Sequence, residues 1–149
     1  MTPHPPHDYP IAEAAPDGRR VLIADDSLLA RQLMRRALEL SGVAHDLIDV
    51  AADGRSAAEQ IVARAAGGRA YGLVLLDLHM PELTGDDVLR AIRDEPRAAV
   101  TPVVVVSGDD SPGRRRELAG LGIAGRIDKP FRPEEIRRIA RRAGVCRAA

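Results

Sequence analysis

Five short, mostly apolar segments alternate along the chain with five longer segments of helical character, and this alternation restricts the possible folds more than any other feature. Each apolar segment is only four or five residues long, which is typical of strands that are buried on both faces of a sheet. We predict these strands at 21–24, 47–51, 73–76, 103–106 and 123–127. Because strands that alternate with helices pair in parallel, the sequence predicts an α/β fold with helices on both faces of one sheet.

The intervening segments carry residues that start and stop helices. Ser27 can cap the first helix, and Ser111 followed by Pro112 is a typical start of the fourth. We predict helices at about 27–41, 56–66, 85–93, 111–119 and 133–143, with a turn at Asp53-Gly54 before the second. In the first helix, the spacing of apolar residues predicts one buried stripe, made of Ala30, Leu33, Met34, Ala37 and Leu40.

Composition excludes several classes of protein. The 22 basic residues balance the 22 acidic ones, which argues against nucleic-acid binding driven by bulk charge. The single cysteine, Cys146, excludes an internal disulfide and a multi-cysteine metal site. Since the chain shows neither a secretory signal nor an apolar run of the roughly 20 residues that span a bilayer, we expect a cytoplasmic protein. Five prolines in residues 1–18 predict a disordered tail, followed by one domain at 19–149.

Polar residues follow four of the predicted strands at the point where each strand ends. Asp25 and Asp26 follow the first strand, Asp77 the third, Ser107 the fourth and Lys129 the fifth. Any one of them could be a helix cap, a turn residue or a surface charge. Because the carboxyl ends of parallel strands meet at one edge, where such sheets bind ligands, their joint occurrence indicates a functional site.

Three carboxylates gathered at one edge would repel one another. At about 5 Å and an effective dielectric constant of about 20, each like-charge pair costs roughly 3 kcal/mol before solvent screening. The cluster therefore favours a bound cation, and its oxygen ligands suit Mg²⁺ or Mn²⁺ rather than Zn²⁺. An aspartate beside such an ion can act as a nucleophile toward phosphorus, with Lys129 and the Ser107 hydroxyl contacting the phosphoryl oxygens. Lys129 is also the single lysine of the chain, which is consistent with a need for a compact ammonium group.

Four segments, in this order and spacing, resemble the receiver domain of two-component response regulators. They are VLIADDS at 21–27, LVLLDLHMPELTG at 73–85, TPVVVVS at 101–107 and KPF at 129–131. The similarity extends over about residues 19–143. It implies a flavodoxin-like, doubly wound α/β fold, with a five-stranded parallel sheet in the order 2-1-3-4-5 and five helices.

The resemblance also implies a role for each acidic residue of the cluster. Asp77 would accept a phosphoryl group from a histidine kinase or a histidine phosphotransfer protein. Asp26 and Asp77 would bind Mg²⁺ directly, and Asp25 would bind it through water. The backbone carbonyl of His79 would complete the protein ligands.

Further roles are implied for the residues around the phosphoryl group. Lys129 would contact this group, positioned by a cis peptide bond to Pro130. Ser107 would move toward the group and signal its presence, and the backbone amide of Gly108 would add a donor. The side chain of His79, together with Asp109, would lie near the entrance and influence dephosphorylation by water.

Three positions depart from the family's usual pattern, and one of them is Arg132, which stands where a capping Ser, Asp or Asn would be expected. Members usually carry an aromatic residue three positions before the lysine, where this chain has Arg126, and an arginine could turn toward acidic groups of a partner instead. Gly108 replaces a common alanine, which would loosen its loop. Leu28 and Leu29 lie next to the acids in the sequence, where they could either dock a kinase or pack internally.

The resemblance implies a stand-alone response regulator that signals to an unknown output protein by contact or through a phosphorelay. It implies neither direct DNA binding nor a membrane partner. Such a protein catalyses only its own phosphoryl transfer and dephosphorylation and is not otherwise an enzyme.

Three alternatives remain open. One alternative is the receiver portion of a larger regulator. Another is a Mg²⁺-dependent phosphatase with an aspartate nucleophile, a class that has a second acid where this chain has His79. A flavin-binding module of the same fold is a third, but acidic strand ends would repel the flavin phosphate.

Overall fold

The computed structural model describes residues 20–108 and 111–146, and it contains one parallel sheet. The five strands are β1 (Val21–Ala24), β2 (Ile48–Ala51), β3 (Leu73–Asp77), β4 (Val103–Ser107) and β5 (Gly125–Asp128). Their order in the sheet is β2-β1-β3-β4-β5, so β1 and β3 are neighbours and β5 lies at one edge. The flavodoxin-like order that the resemblance implies is therefore confirmed.

Five α-helices cover the two faces of this sheet. They are α1 (Leu28–Leu40), α2 (Gly54–Ala66), α3 (Gly85–Asp94), α4 (Pro112–Gly120) and α5 (Pro133–Arg142), and a short 3-10 turn at His45–Leu47 precedes β2. Helices α1 and α5 share one apolar core, whose members include Met34 and Ile136. Helices α2, α3 and α4 share the other, which includes Ile61, Ile92 and Leu118. None of the helices in the described ranges is long and apolar enough to span a bilayer.

The helix starts follow from local hydrogen bonding. The Ser27 hydroxyl accepts a hydrogen bond from the Ala30 amide at 3.1 Å, which confirms Ser27 as the cap of α1. The Asp53 carboxylate accepts one from the Ser56 amide at 2.7 Å. This cap starts α2 at Gly54, so the predicted start at residue 56 is wrong by two residues.

Two further predictions of local structure are corrected. Leu33 and Leu40 are 53% and 56% exposed, whereas Leu38, which was not in the predicted stripe of α1, is fully buried. Only part of the predicted stripe is therefore buried. Strand β5 begins at Gly125 rather than at residue 123, because β4 pairs with β5 from Val104 and Gly125 onward. The predicted disordered tail at 1–18 lies outside the described residues.

Helices α3 and α4 are joined by a charged pair. The guanidinium of Arg114 donates two hydrogen bonds to the two carboxylate oxygens of Asp86, and both side chains are mostly buried. The hydrogen bonds from Arg114 hold the pKa of Asp86 below its usual value. Because α4 contributes only Leu118 to the buried residues, this pair is a principal attachment at the start of α4.

Replacing Asp86 with Asn should lower the free energy of unfolding by about 2 kcal/mol at pH 7, since the mostly buried Arg114 then lacks its counter-ion. An acid with a lowered pKa stabilises the fold above its unfolded pKa of about 4, and this contribution is lost as the pH falls through its folded pKa. The difference between the two proteins should therefore shrink in acid. Urea unfolding at pH 7 and below pH 4 measures it, with the exposed Asp94→Asn of the same helix as control. A constant difference across this range would contradict the assignment.

Candidate functional site

Three carboxylates meet at the carboxyl edge of the sheet, as the sequence predicts. Asp25 directly follows β1 and Asp77 ends β3, and the pairing of these strands places the two residues side by side. Asp25 and Asp77 are buried, while Asp26 is exposed to solvent. One ligand oxygen from each of the three lies within 4.8 Å of the others, which is a distance that one cation can bridge.

Lys129 directly follows the edge strand β5 and reaches this cluster with its side chain. Its Nζ donates a hydrogen bond to Asp25 Oδ2 at 2.8 Å and lies 3.6 Å from Asp77 Oδ2. The backbone at this position is held by the Lys129 amide, which donates to the Ser107 carbonyl at 2.9 Å. The bond from Lys129 to Pro130 is cis, as the resemblance implies. Residues from three non-consecutive parts of the chain thus share one site.

The acids carry an electrostatic cost that the lysine offsets only in part. Burial raises the pKa of Asp77, and the charges of Asp25 and Asp26 raise it further, against the opposing effects of the His79 amide and Lys129. Burial opposes the charge of Lys129, but its hydrogen bond to Asp25 and the nearby carboxylates outweigh this, so the pKa of Lys129 is raised. Lys129 therefore stays charged at neutral pH.

The donor set fits a hard divalent cation. It consists of carboxylate oxygens, and the exposed Asp26 leaves the cluster open to water, as Mg²⁺ requires because it keeps several water ligands. With sulfur and imidazole ligands absent from the cluster, nothing favours Zn²⁺.

The other predicted site residues lie around this cluster. Ser107 is fully buried at the end of β4, beside Asp128 of β5. The side chain of His79 is exposed, while its backbone amide donates to Asp77 Oδ1 at 3.2 Å, so its backbone borders the site. Gly108 is exposed, and Asp109 lies outside the described residues.

Arg126 occupies the position of the usual aromatic residue and is engaged within its own strand. Its Nε donates to Asp128 Oδ1 at 3.0 Å, and its side chain is 14% exposed. The side chain is therefore mostly buried along the edge strand β5.

Sequence reasoning missed two residues that support the site. The Arg31 guanidinium donates to the backbone carbonyl of Asp25 at 2.7 Å, which fixes the turn that presents the acids. Gly54 at the start of α2 touches the loop after β3 so closely that a Cβ there would lie 1.7 Å from the Leu83 carbonyl oxygen. The sequence signal for Gly54 was its place directly after the aspartate that caps α2. No local pattern marks Arg31.

Comparison with known proteins gives consistent results. Residues 21–141 match the family model described as the response regulator receiver domain. The chain is 30% identical over 122 residues to the two-component response regulator ORR3 of Oryza sativa subsp. indica, which covers 82% of this chain and 88% of that protein. It is 34% identical over 113 residues to the sensory/regulatory protein RpfC of Xanthomonas campestris pv. campestris, covering 74% of this chain but 14% of that protein.

Solved structures show the same fold. The chemotaxis protein CheY4 of Vibrio cholerae superposes with a TM-score of 0.69 at 31% identity, covering 83% of this chain and 97% of that one. The receiver domain of the sensor histidine kinase PA1611 of Pseudomonas aeruginosa, described with magnesium in its active site cleft, gives 0.72 at 23% identity, a likeness of fold alone. Given the match over residues 21–141 and the cluster at the carboxyl edge of the sheet, this chain belongs to the response regulator receiver domain family.

Proposed function

We propose that Asp77 accepts a phosphoryl group in a Mg²⁺-dependent reaction whose donor is a histidine kinase or a histidine phosphotransfer protein. The observation that supports this most is the meeting of three carboxylates with Lys129 at one edge of a receiver fold. A carboxylate oxygen of Asp77 attacks phosphorus, the bond from phosphorus to the donor's imidazole nitrogen breaks, and its electron pair stays on the imidazole. The product on this chain is an aspartyl phosphate.

Asp25, Asp26 and Asp77 would hold the cation, with the backbone carbonyl of His79 as a further ligand. When bound, Mg²⁺ (or Mn²⁺) neutralises the charge that develops on the phosphoryl oxygens. Asp77 is assigned as the nucleophile because its carboxylate ends β3 within the cluster, and one of its oxygens lies 3.6 Å from the Lys129 ammonium.

Lys129 responds to the new charge. Its Nζ lies 2.8 Å from Asp25 Oδ2 and 3.6 Å from Asp77 Oδ2, so the ammonium group is closer to Asp25. A phosphoryl group on Asp77 places additional negative charge beside this ammonium, which then donates to a phosphoryl oxygen. The Ser107 hydroxyl donates to another oxygen, which moves the start of the following loop at Gly108.

This movement reaches the surface through β5. Arg126 exchanges its contact with Asp128 for an acidic group of an output protein, in place of the inward turn of an aromatic ring. Asp109 and the side chain of His79 set the access of water to the phosphoryl group and so its lifetime.

An apolar row on α1 supports a protein as the phosphoryl donor. Leu29, Leu33 and Leu40 are 65%, 53% and 56% exposed, and their spacing of four and seven residues places them on one side of the helix. Leu28 is exposed as well. Because this row begins three residues after the acids, it offers docking surface beside the site rather than internal packing.

Incubation with acetyl phosphate and Mg²⁺ tests the proposal. We expect one adduct of about 80 Da per chain by mass spectrometry, mapping to Asp77, and none when the metal is chelated. Asp26→Asn should raise the Mg²⁺ concentration needed for half-maximal labelling about tenfold or more, because one ligand loses its charge.

The same experiment separates the proposal from the phosphatase alternative. A phosphatase would turn over small phosphomonoesters many times, whereas a receiver is labelled once per chain. Continuous release of phosphate from p-nitrophenyl phosphate, or equal labelling with and without metal, would contradict the proposal.

A further inference from the structure

A cavity of about 220 Å³ lies at the amino edge of the sheet, where β4 and β5 begin. The acidic cluster lies at the opposite edge, and the length of β4 separates the two places by about 13 Å, at about 3.3 Å per residue. The cavity is therefore distinct from the site assigned to phosphoryl acceptance. Its lining residues are Arg93, Ala99, Val100, Thr101, Pro102, Gly122 and Ala124.

Arg93 places a fixed positive charge in the wall of this cavity. Its Nε donates a hydrogen bond to the Leu121 carbonyl and its Nη2 donates one to the Gly122 carbonyl, both at 2.7 Å, while its Nη1 donates to the Ala99 carbonyl. Because carbonyl oxygens are uncharged, these three contacts hold the guanidinium group in place without cancelling its charge. The end of α3 is thereby joined to the loops that lead into β4 and β5.

Gly122 permits the close approach of this guanidinium group. Its φ is 69°, in the left-handed region that glycine adopts readily. A Cβ at this position would lie 3.2 Å from Arg93 Nε. A larger residue would therefore be strained and would also press on the arginine, so the local sequence suits the observed position of the charge.

Thr101 contributes a buried hydroxyl group to the same wall. The residue is 2% exposed, and its Oγ1 has no hydrogen-bond partner within residues 20–108 and 111–146. A buried hydroxyl without a partner costs free energy, and such groups are uncommon unless a ligand or a water completes them. An oxygen atom of a molecule bound in the cavity would supply the missing partner.

The remainder of the wall is mainly apolar. Ala99, Pro102 and Ala124 contribute small apolar side chains, and Val100, which is 77% exposed, lies at the opening. At about 30 Å³ per water, the cavity has room for about seven waters or for one small organic molecule. An apolar wall with a few convergent polar groups is typical of a ligand site.

We infer that this cavity binds a small organic anion with a carboxylate group and a short apolar body. The carboxylate would lie against the guanidinium group of Arg93 and accept a hydrogen bond from the Thr101 hydroxyl. The apolar body would cover Val100 and Pro102. This inference does not rest on phosphoryl acceptance by Asp77.

Two other kinds of ligand fit less well. An inorganic anion such as phosphate would meet the charge of Arg93 but would leave the apolar wall uncovered. A metal cation would be repelled by the guanidinium group, and no carboxylate is among the lining residues to bind it.

An NMR titration of the nitrogen-labelled full chain with benzoate tests this inference. Benzoate has a carboxylate on a compact apolar ring, and benzamide has the same shape without the charge. We expect saturable shifts of the amide signals of residues 99–101 and 122–124, with a dissociation constant of about 1 mM, which is usual for so small a ligand. Benzamide should bind about tenfold more weakly.

Two variants of one exposed position examine the role of charge. Val100→Asp adds a negative charge at the opening and should weaken benzoate binding about tenfold. Its matched control is Val100→Asn, which has nearly the same shape without the charge and should change the dissociation constant less than about twofold. Because Val100 is exposed, both variants should fold.

Thr101→Val examines the hydroxyl group and provides a second measurement. It keeps the shape of the side chain and should weaken benzoate binding about fivefold. In urea unfolding without ligand, it should be at least as stable as the wild type, because a buried hydroxyl without a partner has been removed.

Five results would overturn the inference. They are the absence of saturable shifts, shifts centred on Asp25 and Asp77, equal binding of benzoate and benzamide, tighter binding of inorganic phosphate than of benzoate, and a Thr101→Val protein that is less stable than the wild type. Labelling of Asp77 by acetyl phosphate is a separate measurement. Failure of this inference is therefore distinguishable from failure of the proposed function.

Discussion

Replacing Asp77 with Asn is expected to abolish labelling by acetyl phosphate and, at the same time, to stabilise the metal-free fold. The amide has no anionic oxygen to attack phosphorus, so the adduct should be absent at every Mg²⁺ concentration. The stabilisation has a separate origin. Burial and the neighbouring Asp25 and Asp26 raise the pKa of Asp77, which means that its charged form is disfavoured in the folded state.

The sign of the stability change follows from this pKa. An acid whose pKa is raised by folding favours the folded state when protonated, and that contribution is lost as the pH rises through its unfolded and then its folded pKa. At pH 7 Asp77 therefore costs stability, and the neutral amide removes the cost. We expect a gain of about 1 kcal/mol, or about 3–4 °C in melting temperature without metal.

Thermal melts of both proteins with and without Mg²⁺ measure this effect. The metal should raise the melting temperature of the wild-type chain more than that of Asp77→Asn, since the variant lacks one anionic ligand. A variant that is less stable than the wild type without metal would contradict the electrostatic cost assigned to the charged form of Asp77.

The residues at the strand ends could be predicted because their positions depend on the strands alone. Val21–Ala24 and residues 73–76 are apolar over their length and buried, so the polar residue that follows each of them had to lie at the sheet edge. Parallel pairing brings Asp25 and Asp77 together because β1 and β3 are neighbours, and this strand order was implied by the family resemblance. The conformation of the Lys129–Pro130 bond, in contrast, was implied by the family resemblance and by no physical pattern.

Other features depend on contacts between distant residues and left no local signal. Arg114 and Asp86 are 28 residues apart, and nothing in either helix marks them as partners. The stripe of α1 was predicted in part wrongly because Leu33 and Leu38 both fit an apolar helical period, and only packing against α5 and the sheet decides which is covered. Periodicity identifies an apolar face but does not show whether the protein itself or a partner covers it.

Replacing Gly54 with Ala should lower the free energy of unfolding by about 3 kcal/mol. The added Cβ would lie 1.7 Å from the carbonyl oxygen of Leu83 and 2.5 Å from its carbonyl carbon. Both are backbone atoms, so no side-chain rotation relieves the overlap. The start of α2 and the loop after β3 must move apart, and the Gly54 amide loses its 3.5 Å contact with the Pro81 carbonyl.

Gly113→Ala is the matched control, because this glycine also lies in the first turn of a helix but a Cβ there meets nothing within 4 Å. It should gain about 0.5–1 kcal/mol from the better helix propensity of alanine. Urea unfolding should therefore show changes of opposite sign in the free energy of unfolding of the two variants.

The displaced loop follows Asp77 directly, so Gly54→Ala should also slow labelling by acetyl phosphate under conditions where the variant remains folded. Gly113→Ala should label at a rate close to that of the wild type. A Gly54→Ala protein as stable as the control would show that α2 and this loop are not in contact, and the supporting role assigned to Gly54 would then be wrong.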